Sequence, residues 1–272
     1  MNLVTGNPSE AISLDKLRNV LIRLEDTIIF ALIERSQFAH NDIIYKPGAY
    51  KYEGNEEFSG SFLEYFLWEI EKVHAKARRY QSPDEYPFMG PLPDPIIPPL
   101  EYPRILKPNN INVNSKIMEF YIKHIIPSLC VPGDDMNHGS ATTKDIDCLQ
   151  ALSHRIHYGK FVAEAKFQDP NLQPKYIEYI KAEDRKAIEN LLTNKKVEEA
   201  LLKRLRRKAL TYGQDITESD SIVGDNDHIH KHLKIDVNVV VELYEKWVIP
   251  LTKEVEVEYL LQRLDDPLED TE

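Results

Sequence analysis

The sequence predicts an all-α protein, a single-domain multi-helix bundle with one Pro-rich irregular insert, spanning all 272 residues. Glycine is scarce, at 10 residues, and Leu, Ile, Lys and Glu dominate the periodic segments, a usage that favours helices over a β-sandwich or a Rossmann sheet. Apolar residues recur three and four apart along most of the chain, the spacing of one helix face. Nine of the 17 prolines fall between Pro83 and Pro108, a density that forbids helix there and favours extended or polyproline backbone.

Each element follows from local signals. Leu14, Leu17, Leu21, Leu24, Ile28 and Leu32 mark a long amphipathic first helix over 14–36, with Arg18 and Arg23 among them. Ser61-Phe-Leu-Glu64 has capping-box spacing and opens a second helix that reaches Arg78, Arg79 and Tyr80. The insert 83–108 is then an ordered wrap or a linker. Periodicity resumes from about Asn114 to Ser128, and after the polar turn Pro132 to Gly139 comes one unbroken helix holding both Arg155 and Lys166. Shorter helices follow Pro174 and Ala182. Asn194 stands as the N-cap of a helix that reaches Tyr212 and stops at Gly213. Its basic run, Lys203-Arg-Leu-Arg-Arg-Lys208, reads as a solvated, cation-favoured helix end. A polar loop over 214–235 precedes a last helix from Asp236 to about Leu264, kinked at Pro250. An acidic tail occupies 265–272.

Composition narrows the function. A net charge of -11 argues against nucleic acid as a partner. The N-terminus lacks a basic region followed by a long apolar core, and no run of about 18 apolar residues occurs, so a cytoplasmic protein with no membrane partner is expected. Cys130 and Cys148 are too few for a disulfide framework and lack zinc-ligand spacing, which suits reduced thiols. No Gly-rich phosphate loop is present. Glu71-Lys-Val-His74 is a single Glu-x-x-His where a metal-binding bundle needs a pair, and the tract His228-Ile-His-Lys-His232 lies in the polar loop. No metal and no cofactor are expected.

The chemistry sits on inward-looking polar residues. Arg155 and Lys166 are eleven residues apart, about 1100° of helix, which returns them to within roughly 20° of one face some 16 Å apart. Buried cations need either internal acids or an anionic ligand. Asn194 and Glu198 are one turn apart, as are Thr252 and Glu256, and each pair sets a hydrogen-bonding group beside a carboxylate. Asn194 also serves as a helix cap, and Thr252 could bond back to a carbonyl near Pro250. Glu254, Glu256 and Glu258 cannot all point one way on a helix, so Glu256 can face inward while its neighbours face solvent.

The segments Arg23-Leu-Glu-Asp-Thr-Ile-Ile-Phe, Ile33-Glu-Arg-Ser, Thr143-Lys-Asp-Ile-Asp-Cys-Leu-Gln, Arg155-Ile-His-Tyr-Gly-Lys-Phe-Val-Ala-Glu-Ala-Lys-Phe and Ile249-Pro-Leu-Thr-Lys-Glu-Val-Glu-Val-Glu-Tyr-Leu-Leu resemble the all-helical chorismate mutases of fungi. The likeness runs from about Leu14 to Leu264. It implies a homodimer of helical subunits, each converting chorismate to prephenate in phenylalanine and tyrosine biosynthesis. It also implies active-site roles for Arg18, Arg155, Lys166, Asn194, Glu198, Thr252 and Glu256. Arg18 and Arg155 would hold the two carboxylates, with Asn194 and Thr252 assisting. Lys166 and a protonated Glu256 would donate to the breaking ether oxygen, and Glu198 would accept from the ring hydroxyl. The rearrangement is intramolecular and pericyclic, so positioning and charge stabilisation suffice.

The same resemblance implies an effector pocket between subunits where tyrosine inhibits and tryptophan activates. The matching residues are Arg78 and Arg79 from one subunit, and Asn137, Gly139, Ser140 and Thr143 from the other. Two positions depart from the pattern: Met136 stands where some relatives have a second Asn, and Asp236 where regulated relatives carry Thr. The alternative is a non-catalytic helical scaffold, in which the inward Arg, Lys and Glu residues merely pair with one another.

Overall fold

A computed structural model describes residues 13–55, 58–100, 105–214 and 233–265. The described residues are helical, apart from irregular connections and one isolated bridge between Gln214 and Leu233. Among them no helix is long and apolar enough to cross a membrane. The tract from His228 to His232 and the tail beyond Asp265 lie outside the described residues.

The first helix, α1 (Leu14–Arg35), turns Leu17, Leu24, Ile28 and Leu32 into the core. It packs along the central helix α5 (His138–His157), while α6 (Gly159–Phe167) packs along α11 (Ile249–Leu261). At the α1–α5 contact a fully buried Arg35 donates through Nε to Asp145 at 2.6 Å, and Tyr45 and Tyr121 donate to the same carboxylate. That satisfies a buried charge pair which would otherwise cost several kcal/mol.

The second helix, α2 (Phe62–Lys76), has the expected capping box: Glu64 N–H donates to the Ser61 hydroxyl, and the Glu64 carboxylate accepts from Ser61 N–H at 2.7 Å. It ends at Lys76, short of Arg78. Ala77 N–H closes onto Val73 and His74, and Arg78 takes a left-handed conformation at φ 68°, so Arg78 is part of a stop signal rather than the helix. Arg79–Gln81 is a separate 3₁₀ turn.

Where it is described, the Pro-rich segment wraps over the helices. Proline lacks the N–H that would build ladders, and side chains from the helices hold the wrap instead. Glu71 accepts from Phe88 and Met89 N–H, Asn114 donates to the carbonyls of Tyr86 and Pro87, and Tyr259 accepts from Lys107 N–H. Near its end, the fully buried Lys160 donates to Ile111 O at 2.5 Å and Asn109 Oδ1 at 2.8 Å. His157 Nε2 accepts from Val113 N–H at 3.0 Å, and its other nitrogen faces Ser153 O at 2.9 Å. These bonds fix a neutral imidazole, and burial pushes its pKa down from 6.5 to about 3.

That shift has a sign. As pH falls below 6.5 the unfolded chain binds a proton at His157 that the folded chain does not accept until about 3, so stability is lost across that window, on the order of a few kcal/mol. Burial also lowers Lys160 from 10.5 to about 7, which adds a slope of the same sign between those values. Urea unfolding of His157→Gln is expected to give lower stability at pH 7 but a shallower loss from pH 6.5 to 4. An unchanged slope would assign the acid sensitivity to other groups.

Two proline-bearing helices share one device. The expected helix from Asn114 to Ser128 is α3 (Asn114–Phe120), a π turn (Tyr121–Ile125) and the short α4 (Ile126–Leu129). The last helix is α10 (Val237–Leu243), a π turn (Tyr244–Val248) and α11, with the Pro250 kink absorbed by the π turn. Each proline removes one donor, and the preceding turn widens so that Ile126 and Ile249 N–H reach back to Tyr121 O and Tyr244 O. The two turns carry the same pattern, Tyr-x-Lys-x-x-Ile-Pro, and lie side by side, His124 stacking on Trp247 at 4.7 Å. Asp236 caps α10 through Asn238 N–H, and α11 ends at Leu261, three residues before the expected Leu264.

Two short helices, α7 (Gln173–Lys181) and α8 (Arg185–Leu192), and the longer α9 (Lys195–Tyr212) complete the bundle. Asn194 caps α9, accepting from Val197 N–H at 3.3 Å. The basic run of α9 is not merely solvated. Arg204 grips the buried Glu25 with two bonds of 2.7 and 2.9 Å, and Lys208 reaches Asp26 at 2.6 Å and Ile22 O at 2.7 Å, so this run docks α9 onto α1.

Candidate active site

The central segment is not one unbroken helix. Tyr158 interrupts it with a tighter turn, in which Phe161 N–H bonds to Tyr158 O, and Gly159 begins α6. Opposite it, α11 approaches so closely that a Cβ on Gly159 would sit 2.9 Å from Thr252 Cγ2 and 3.1 Å from Thr252 O. Despite the break, Arg155 and Lys166 line one cavity of about 320 Å³, together with Arg18, Asn194, Glu198, Thr252 and Glu256. All seven expected residues therefore border the same space, within the size range of small-molecule sites.

Their environments differ. Arg155 is buried, 4% exposed. Its Nη1 donates to Thr252 Oγ1 at 3.4 Å and its Nε has no partner, while Thr252 in turn donates to Val248 O at 2.6 Å. Among the described residues Arg155 has no acid partner. Lys166 donates to Leu192 O at 2.9 Å and to Glu256 at 3.2 Å. Glu256 is buried while Glu254 and Glu258 bind Lys116 and Arg185 further out. Glu198 pairs with Lys253 at 2.9 Å.

Arg18 and Asn194 sit at the exposed rim rather than inside. Arg18 is turned onto Asp15 at 3.0 Å, with its side chain 56% exposed. Such an exposed pair is worth little, so the guanidinium is cheaply recruited by an incoming anion.

Sequence reasoning missed Lys253, Tyr176 and the packing role of Gly159. Lys253 directly follows Thr252, yet its neighbours' charge pattern suggests a solvated face. Tyr176 lies in a short helix with no motif. Gly159 is visible within the central segment, but the α11 backbone it meets is about ninety residues away. Gly159→Ala is expected to push α6 and α11 apart by a few tenths of an ångström. Stability should fall by about 1–3 kcal/mol, and turnover by roughly ten- to a hundred-fold through misplacement of Thr252 and Glu256. Thermal unfolding and steady-state kinetics on the same variant check both.

The six charged residues around this cavity are four cations (Arg18, Arg155, Lys166, Lys253) and two carboxylates (Glu198, Glu256), an excess of two positive charges. A cavity of this size and charge within a helical bundle suits a small dianion. Comparison with known proteins gives the family. The model for chorismate mutase type II matches residues 138–257. The chain is 48% identical to the chorismate mutase of Schizosaccharomyces pombe, covering 94% of this chain and 98% of that one. Its structure resembles that of Aro7p chorismate mutase from Candida albicans in complex with L-Trp, with a TM-score of 0.88 and 45% identity over 98% of this chain and 96% of that one. It also resembles AtCM1 with tyrosine bound in its allosteric site, with a TM-score of 0.81 and 46% identity over 95% and 99% of the two chains. The chain belongs to the chorismate mutase family.

The residues of the second expected site divide in two. Arg79 donates to Gln150 on α5 at 2.9 Å and pairs with Glu85, while the Arg78 guanidinium bonds Pro98 O. Asn137, Gly139, Ser140 and Thr143 are exposed in the first turns of α5, with Thr143 bonded back to Gly139 O. Thr143 and Gln150 are about 10 Å apart along the helix, so one chain does not bring the two halves together. Met136 adopts φ 64°, a left-handed conformation that costs a non-glycine residue about 1 kcal/mol and that Asn takes up more readily.

Proposed function

We propose that the α6–α11 cavity is the site where this chorismate mutase rearranges chorismate to prephenate, without metal or cofactor. The carrying observation is Arg155, a buried guanidinium that has no acid partner among the described residues and opens onto a cavity with two surplus positive charges. A scaffold would pair its buried cations internally.

Chorismate brings two carboxylates. Arg155 binds one through its planar fork, steadied by Thr252, and Arg18 leaves Asp15 to close over the other with Asn194. Glu198 accepts from the ring hydroxyl. Held so, the substrate is confined to the compact conformer from which the new C–C bond forms as the ether C–O bond breaks. Negative charge then grows on the ether oxygen, where Lys166, held beside Glu256, donates. One such donor is worth about 3 kcal/mol in the transition state.

The functional unit is a cytoplasmic homodimer. Exposed Phe30, Val73 and Ile96 near the Arg79 end of the bundle supply apolar surface for a partner copy. A partner would bring its own Asn137 to Thr143 turn to Arg78 and Arg79, completing a pocket where tyrosine inhibits and tryptophan activates.

Loss of chorismate's ultraviolet absorbance on adding purified protein tests the activity. Full activity after exhaustive chelation and desalting is expected, and activity restored only by a metal would overturn the cofactor-free mechanism. Thr143→Ala is expected to flatten the tyrosine response by ten-fold or more in effector concentration while basal kcat stays within about two-fold, since losing a charge-assisted contact is worth about 1.5 kcal/mol. A basal kcat that falls with it would place Thr143 in the catalytic machinery.

A further inference from the structure

We propose that the Tyr176 hydroxyl is a further substrate-contacting group, donating a hydrogen bond to a substrate oxygen held beside Glu256. Tyr176 lies on α7, is fully buried, and lines the same cavity as Arg155, Lys166 and Glu256. Its ring is accounted for by packing, tilted against Phe167 with centroids 6.3 Å apart. Its oxygen is not accounted for. The hydroxyl is buried and has no hydrogen-bond partner, a cost that phenylalanine at this position would not incur.

Lys166 donates to Leu192 O and to Glu256 Oε2 beside the same space. Arg155 Nε is a second unpartnered buried donor of the same cavity. Two unmet donors lining one cavity match a ligand that carries only oxygens as polar atoms: two carboxylates, an ether and a hydroxyl. Burial, with Glu256 and Asp169 nearby, raises the pKa of the phenol well above its ordinary value, so it stays a donor across the neutral range.

This inference rests on the cavity being chorismate's site, and the test separates the two. Tyr176→Phe removes one oxygen and keeps the ring. Its ligand-free melting temperature is expected to equal or exceed that of the parent, while kcat/KM for chorismate falls about ten-fold or more, the effect of one hydrogen bond to a charged or charging acceptor. Arg155→Ala runs beside it. If Arg155→Ala loses activity and Tyr176→Phe stays within two-fold of the parent, the hydroxyl contact is wrong and the cavity assignment survives. If both keep parental kinetics, the cavity assignment itself fails. A Phe variant that loses stability in step with activity assigns the hydroxyl to the fold and also overturns the proposal.

Discussion

Arg155→Ala is expected to lower kcat/KM by roughly 10²- to 10³-fold, about 3–4 kcal/mol, without lowering the stability of the ligand-free protein. The two halves of that expectation have one cause. Arg155 is 4% exposed, its Nε is unpartnered, and its guanidinium makes a 3.4 Å bond to Thr252 and lies 6.0 Å over the Tyr244 ring. Burying a cation with so few partners costs free energy, so its removal relieves a cost even as some packing around the alkyl stem is lost. The substrate carboxylate repays that cost only on binding. Arg155→Lys keeps charge but not the planar fork and is expected to fall between parent and Ala. Thermal unfolding set beside steady-state kinetics decides it: a variant that keeps its activity, or that loses activity only because it unfolds, contradicts the receptor role.

Lys166→Ala is expected to reduce kcat by a similar 10²- to 10³-fold with a smaller change in KM, because its ammonium is needed most once the ether oxygen gains charge. Lys166 holds Glu256 at 3.2 Å, so the two act as a unit. Glu256→Gln, made in the Lys166→Ala background, is therefore expected to cost less than in the parent. Strictly multiplicative losses would show that the two residues work independently, and a rise in KM at constant kcat would move Lys166 to ground-state binding.

Much of this architecture is legible in the chain because its causes are local. The Ser61 to Glu64 capping box, the Asn194 and Asp236 caps and the apolar stripe of α1 depend on residues within one or two turns, and each stands where the spacing puts it. The elements that differ do so for reasons far away in sequence. Gly159 must lack a Cβ because α11, about ninety residues on, passes so close to it, and the basic run of α9 is half buried because Glu25 and Asp26 of α1 face it. The π turn before Pro127 lies against the twin turn before Pro250, His124 stacking on Trp247, a neighbour more than a hundred residues away in sequence.

The site divides in the same way. By itself the sequence determined the helical class, the cluster of Arg, Lys, Glu and Thr that suits a dianion, and the resemblance that links them, since residue type and spacing along a helix are properties of the chain. Only the tertiary structure decided which of those groups lack partners. Lys166 and Glu256 hold each other, Lys253 answers Glu198, Arg18 rests on Asp15 at the rim, and Arg155 with Tyr176 is left with buried donors unmet. Whether a buried polar group is satisfied depends on distances of about 3 Å between helices remote in sequence, and no pattern along one chain encodes them.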